Sequence, residues 1–177
     1  QEGGRTASPA LQRVRIVATY LAEEQIAPVV LALNNLRQTS PRQAAEVALL
    51  LARQRGPHEQ ELIKLATELD PSYAPARAAR GNFLLRRTLN VRLREQLGPE
   101  DMTSGKWVEL ANRWWKLPLP GLRETYKTAN TARLSLLFAL QLEDDPRTRA
   151  SAIVAAALER AILLELRRDP QGAKGTE

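Results

Sequence analysis

General acid–base chemistry needs two carboxyls held across a cleft in different environments. The clustered acids of this chain, Glu23-Glu24, Glu100-Asp101 and Glu143-Asp144-Asp145, are instead neighbours in sequence. Each cluster falls at a helix end or in a loop, where an acid ahead of a helix N-terminus is favoured by the helix dipole. Capping is therefore the role they predict. The chain holds one histidine, His58, one methionine, Met102, and no cysteine. Disulfide scaffolds, thiolate zinc sites, iron–sulfur clusters and cysteine nucleophiles are excluded, and so is the HExxH type of metal site, which needs two imidazoles. Gly105-Lys106 lacks the spaced upstream glycine of a phosphate loop. No catalytic residue, metal site or cofactor is assigned from these patterns.

Charge is the sharper feature. Residues 71–94 carry Arg77, Arg80, Arg86, Arg87, Arg92 and Arg94 and no acid, whereas residues 21–70 carry five bases against seven acids. On a continuous helix Arg80, Arg87 and Arg94 repeat every seven residues, and Arg77 lies one turn earlier, so the four fall along nearly one stripe. A second basic run, Lys106, Arg113, Lys116, Arg123, Lys127 and Arg133, is interleaved with Trp107, Trp114, Trp115 and Tyr126. Cations with aromatic rings between them are what a single-stranded nucleic-acid groove uses. The plainer reading is packing: Trp107, Leu110, Ala111 and Trp114 stand at i, i+3, i+4, i+7, which turns two tryptophans inward and leaves Trp115 as the exposed one. Of 26 basic residues 21 are arginine, a bias that points to a GC-rich bacterial genome rather than to selection for phosphate binding.

The elements that must position these residues are helical. The 177 residues are 44% hydrophobic, 26% charged and only 5% aromatic, and Ala, Leu, Arg, Glu and Gln dominate, so summed helix propensity is high and the chain reads as all-α. Ser8-Pro9, Ser40-Pro41 and Asp145-Pro146 pair an N-cap residue with a proline at the first helical position. Such signals predict helices over 9–25, 28–38, 41–55, 57–69, 73–96, 105–116, 122–142 and 146–168, with an extended proline-set linker at 117–121. Within 41–55, Ala44, Val47, Ala48 and Leu51 make one apolar face. Within 146–168, Ala152 to Leu158 is apolar at every azimuth, which predicts a central, buried helix. No apolar run approaches the roughly 18 to 20 residues of a membrane-spanning helix.

Ser8, Ser40, Ser72 and Ser104 recur at intervals of 32 residues, each just before a predicted helix, and the first two intervals each hold two helices. Around Asp70 the stretch Ala66-Thr67-Glu68-Leu69-Asp70-Pro71-Ser72-Tyr73-Ala74-Pro75-Ala76, followed by Gly81 and Leu84, resembles the junction between successive tetratricopeptide repeats. Ala66, Pro71 and Gly81 sit at that family's offsets, and the turn is echoed at Leu142 to Pro146 and at Leu166 to Pro170. Earlier repeats keep Tyr20 and Pro41 but have Val17 and Val47 at the glycine position. The likeness covers residues 9–96 and is specific over 62–85.

The resemblance implies stacked antiparallel hairpins, a TPR-like α-solenoid over 9–97 with helices of 98–170 as a C-terminal cap or bundle. Flexible ends at 1–8 and 171–177 complete that expectation, and an irregular helical bundle is its alternative. Function then divides two ways. One is a non-enzymatic scaffold whose Arg77, Arg80, Arg87, Arg94 and Trp115 hold an acidic peptide or partner helix. The other is a small basic protein that binds RNA or single-stranded DNA within a nucleoprotein complex. The lack of cysteine fits the cytosol, the favoured compartment, while a chain starting at Gln1 leaves a processed periplasmic or membrane-anchored soluble domain as the alternative.

Overall fold

The computed structural model describes residues 8–23, 25–54, 56–94 and 121–168. Every regular element among them is an α-helix: α1 (Pro9–Glu23), α2 (Ile26–Thr39), α3 (Pro41–Ala52), α4 (Glu59–Leu69), α5 (Ala74–Arg94), α6 (Leu122–Leu142) and α7 (Pro146–Arg168). The expected helix at 105–116, its cap Ser104, the three tryptophans, the linker before Gly121 and the tail lie outside the described residues. The chain divides into two compact units, one comprising 1–80 with 138–144 and the other 81–137 with 145–177.

In the first unit the helices follow one another in pairs. α1 and α2 pack together, α3 packs on both, and α4 packs on α3 and touches α2. The sequence makes this possible through amphipathic stripes. Ala44, Val47, Ala48 and Leu51 are all buried, and so are Leu62, Ala66 and Leu69 on α4. Leu33 and Leu36 of α2 have no exposed surface at all, and each fully buried leucine contributes about 2 kcal/mol of apolar burial. On the far side of α4 Lys64 and Glu68 form an exposed i, i+4 pair at 3.7 Å, which adds a few tenths of a kcal/mol.

Helix ends differ from expectation for local reasons. α2 starts at Ile26, two residues before Pro28, with Gln25 in extended backbone as its N-cap. Proline is tolerated there because the first turn's N–H groups have no intrahelical partner. Between α3 and α4 the Gly56-Pro57 breaker extends into a turn closed by Glu59 N–H donating to the Gly56 carbonyl at 3.1 Å. Of the four serines at the 32-residue period, the three among the described residues also do different work. Ser8 Oγ accepts from Leu11 N–H at 3.4 Å, Ser40 makes no side-chain cap bond, and the Ser72 hydroxyl donates to Asp70 Oδ1 at 2.6 Å.

In the second unit α5 meets α6 at Gly81. A Cβ built there would lie 2.5 Å from Leu136 Cγ and 3.0 Å from the Ala132 carbonyl oxygen, so only glycine fits the crossing. α6 is preceded by Gly121, whose φ of 69° is left-handed backbone that favours glycine. α7 is capped by Asp145, whose Oδ2 accepts from both the Thr148 N–H and the Thr148 hydroxyl at 2.7 Å. Those hydrogen bonds hold the Asp145 carboxyl below its ordinary pKa. The cap is thus complete above the usual carboxylate range and is lost as pH falls through the lowered value.

The expectation of a centrally buried α7 is corrected. Ile153 is 65% and Val154 49% exposed, Ala156 and Ala157 also face solvent, and burial is confined to a stripe through Thr148, Ala152, Ala155, Leu158, Ala161 and Ile162. Alanine is a strong helix former with little surface to hide, so an alanine-rich run can be apolar all round without being enclosed.

Candidate functional site

α5 carries the densest charge of the chain: Arg77, Arg80, Arg86, Arg87, Arg92 and Arg94 with no acidic residue along its 21 positions. Arg77 is half-buried and serves the fold of the first unit. Its Nε donates to the Pro71 carbonyl at 3.3 Å, and its guanidinium stacks 4.8 Å from the Phe138 ring centroid, a cation–π contact of about 0.5 to 1 kcal/mol. Arg80 is half-buried with no ion pair among the described residues, whereas Arg86 and Arg87 are exposed and already engaged in interactions. The side chain of Arg94 and all of Trp115 lie outside the described residues. The structure therefore shows three of the five expected side chains, of which Arg77 and Arg87 already have partners within the chain.

A second charged cluster surrounds the turn after α4. Asp70 is 8% exposed, accepts from Ser72 N–H at 2.9 Å, and lies 3.5 Å from Arg42 Nε. Arg42 in turn stacks 4.5 Å over the Tyr73 ring. Asp70 thus ties α3 to the turn that launches α5. Replacing Asp70 by Ala leaves the Ser72 N–H and the Arg42 guanidinium without their acceptor, and a loss of about 1 to 2 kcal/mol in urea unfolding is expected. Asp70→Asn, which keeps the turn bond, is expected to cost less than half of that.

Burial pushes the Tyr73 phenol above its ordinary pKa, Glu46 and Glu143 add to the rise, and Arg42 and Arg53 oppose it. A raised folded-state pKa means the native state holds the proton more tightly than the unfolded chain. The associated stability is complete below about pH 10 and is lost as pH rises through the folded value. Tyr73→Phe is expected to flatten the alkaline fall in melting temperature. A tyrosinate absorbance titration should also lose a component above the ordinary tyrosine range in that variant.

The site that sequence reasoning missed lies between α1 and α2, where an open groove of about 600 Å³ remains. Ser8, Gln12, Arg15 and Thr19 line it from one side, and Pro28, Ala32, Asn35 and Thr39 from the other. Both rows step by four, three and four residues, the spacing of one helical face. Ile16 and Val29, both buried, form the floor. The double row was present in the sequence, but it read as ordinary helix surface because nothing marked those faces as opposed.

The described residues include no group of three His, Asp or Glu side chains that could hold a metal ion. His58 Nδ1 lies 3.3 Å from Glu61 Oε2 at the start of α4, an i, i+3 contact at a helix N-terminus. No described helix is long and apolar enough to cross a membrane. Comparison with protein-family models, with curated proteins and with solved structures finds nothing that matches this chain.

Proposed function

We propose that the chain is a non-enzymatic interaction module built of stacked helical hairpins, similar to tetratricopeptide repeats, that recruits an acidic segment or helix of another protein through the arginines of α5. The successive pairing of α1 to α4, the Asp70 turn and the glycine crossing at Gly81 support the hairpin reading. The single observation that carries the function is the charge of α5, a helix without one acidic residue on which Arg80 has no ion pair among the described residues. Arginine forks bind carboxylates in a bidentate manner, and an excess of one sign mainly speeds and orients docking.

The experiment compares two fluorescent probes of equal negative charge, a glutamate–alanine peptide and a thymidine oligonucleotide, by anisotropy at several salt concentrations. Saturable binding of the peptide, tighter than that of the oligonucleotide, is expected. Binding of the oligonucleotide alone, with log affinity falling linearly with log salt, overturns the proposal in favour of nucleic acid.

A further inference from the structure

We infer that the α1–α2 groove is a second recognition site, distinct from the α5 arginines, and that it takes an extended peptide carrying one internal acidic side chain over Arg15. The inference goes beyond the α5 reading and does not depend on it.

Length sets the occupant's form. From Ser8 to Thr19 a helix rises about 16 Å at 1.5 Å per residue, and an extended chain covers that distance in about five residues at roughly 3.3 Å each. The groove of about 600 Å³ falls within the roughly 300 to 1,000 Å³ of ordinary ligand sites. Its polar chemistry suits a peptide backbone, which presents one donor and one acceptor per residue. Asn35 and Gln38, both exposed, each offer an amide that donates and accepts. Thr19 and Thr39 already donate their hydroxyl protons to the Arg15 and Leu36 carbonyls, so toward a ligand they act as acceptors for its N–H groups. Pro28 and Ala32, which line the groove and keep exposed surface, give small apolar side chains something to cover.

Charge sets the occupant's identity. Arg15 is the one charged residue among those that line the groove, and it has no ion pair among the described residues. Along α1 it stands about 10 Å from the Ser8 end and about 6 Å from Thr19 at 1.5 Å per residue. Chain therefore continues on both sides of the carboxylate, which makes it an Asp or Glu side chain rather than a peptide C-terminus.

A display library of random dodecapeptides selected against the full chain tests this, with the enriched peptides resynthesised with a fluorophore. Enrichment of a single acidic residue flanked by small apolar ones is expected. Arg15→Gln should weaken those peptides about tenfold, and Ala32→Trp, which fills the groove, should abolish binding while the helical circular dichroism is unchanged. Asn35→Ala with Gln38→Ala, at exposed positions that leave the fold alone, should weaken binding at least threefold. Arg80→Glu should leave it within twofold. No enrichment, or enriched peptides indifferent to Arg15→Gln and the amide variants, overturns the inference. Peptides lost only on Arg80→Glu overturn it too, while leaving the α5 reading in place.

Discussion

Gly81→Ala is expected to destabilise the protein by about 2 kcal/mol, although alanine in a helix interior ordinarily gains about 1 kcal/mol over glycine. The sign reverses because the new methyl would meet Leu136 Cγ at 2.5 Å, Leu136 Cδ2 at 2.9 Å and the Ala132 carbonyl at 3.0 Å. A leucine tip can rotate aside, but its Cγ and a helical carbonyl move only if α6 moves, and overpacking of that kind costs about 1 to 3 kcal/mol. A double-mutant cycle separates crowding from helix propensity. Leu136→Ala alone should cost about 2 to 4 kcal/mol through the cavity it leaves. In the Gly81→Ala background it should cost at least 1 kcal/mol less, since the added methyl occupies part of that space. Urea unfolding of the four proteins reads both terms. A neutral or stabilising Gly81→Ala would mean that α5 and α6 do not approach as described.

The second large effect is expected at the pair linking α6 and α7 within the same unit. Arg133 Nε lies 2.5 Å from Glu159 Oε2, with the two side chains 29% and 14% exposed, and Arg133 Nη2 also donates to Asn130 Oδ1 at 3.2 Å. The Nε contact brings the charges together without hydrogen-bond alignment, so attraction between charges, more than a directed bond, holds the pair. Glu159→Ala leaves a guanidinium largely out of water and facing no charge. A fully buried orphan charge costs about 3 to 5 kcal/mol; the exposure that Arg133 keeps reduces the expectation to about 2 kcal/mol. Replacing both partners, Arg133→Met with Glu159→Leu, should come within about 1 kcal/mol of the original protein, because desolvation then offsets the lost attraction. The contrast between single and double variants distinguishes charge compensation from packing.

Both effects bear on how far the sequence could be read. Helices α3 and α4 were legible because their apolar residues keep the 3.6-residue period and their ends carry Ser-Pro, Gly-Pro and Asp-Pro. Gly81 stood out in the sequence as a lone glycine within a helix, but its neighbours Ala132 and Leu136 did not, being some fifty residues away in the chain. α7 misled in the other direction, since a period shows which residues could be buried and not how many helices are there to bury them. Arg77 shows the same limit for the site. Its spacing placed it on a binding stripe, while the Phe138 ring that stacks on it comes from the end of α6. The groove needed two helices to be set face to face before Arg15, Asn35 and Gln38 stood out from other exposed polar residues.

The central claim is that α5 recruits acidic protein segments, and charge reversal on that helix tests it most directly. Two unit charges about 4 Å apart in water interact by about 1 kcal/mol, so turning one arginine into glutamate replaces an attraction with a repulsion of similar size. Arg80→Glu and Arg87→Glu, measured separately by anisotropy against the glutamate–alanine peptide at low salt, should each weaken binding at least tenfold while the helical circular dichroism is retained. Equal affinity of both variants and the original protein for that peptide would contradict the account.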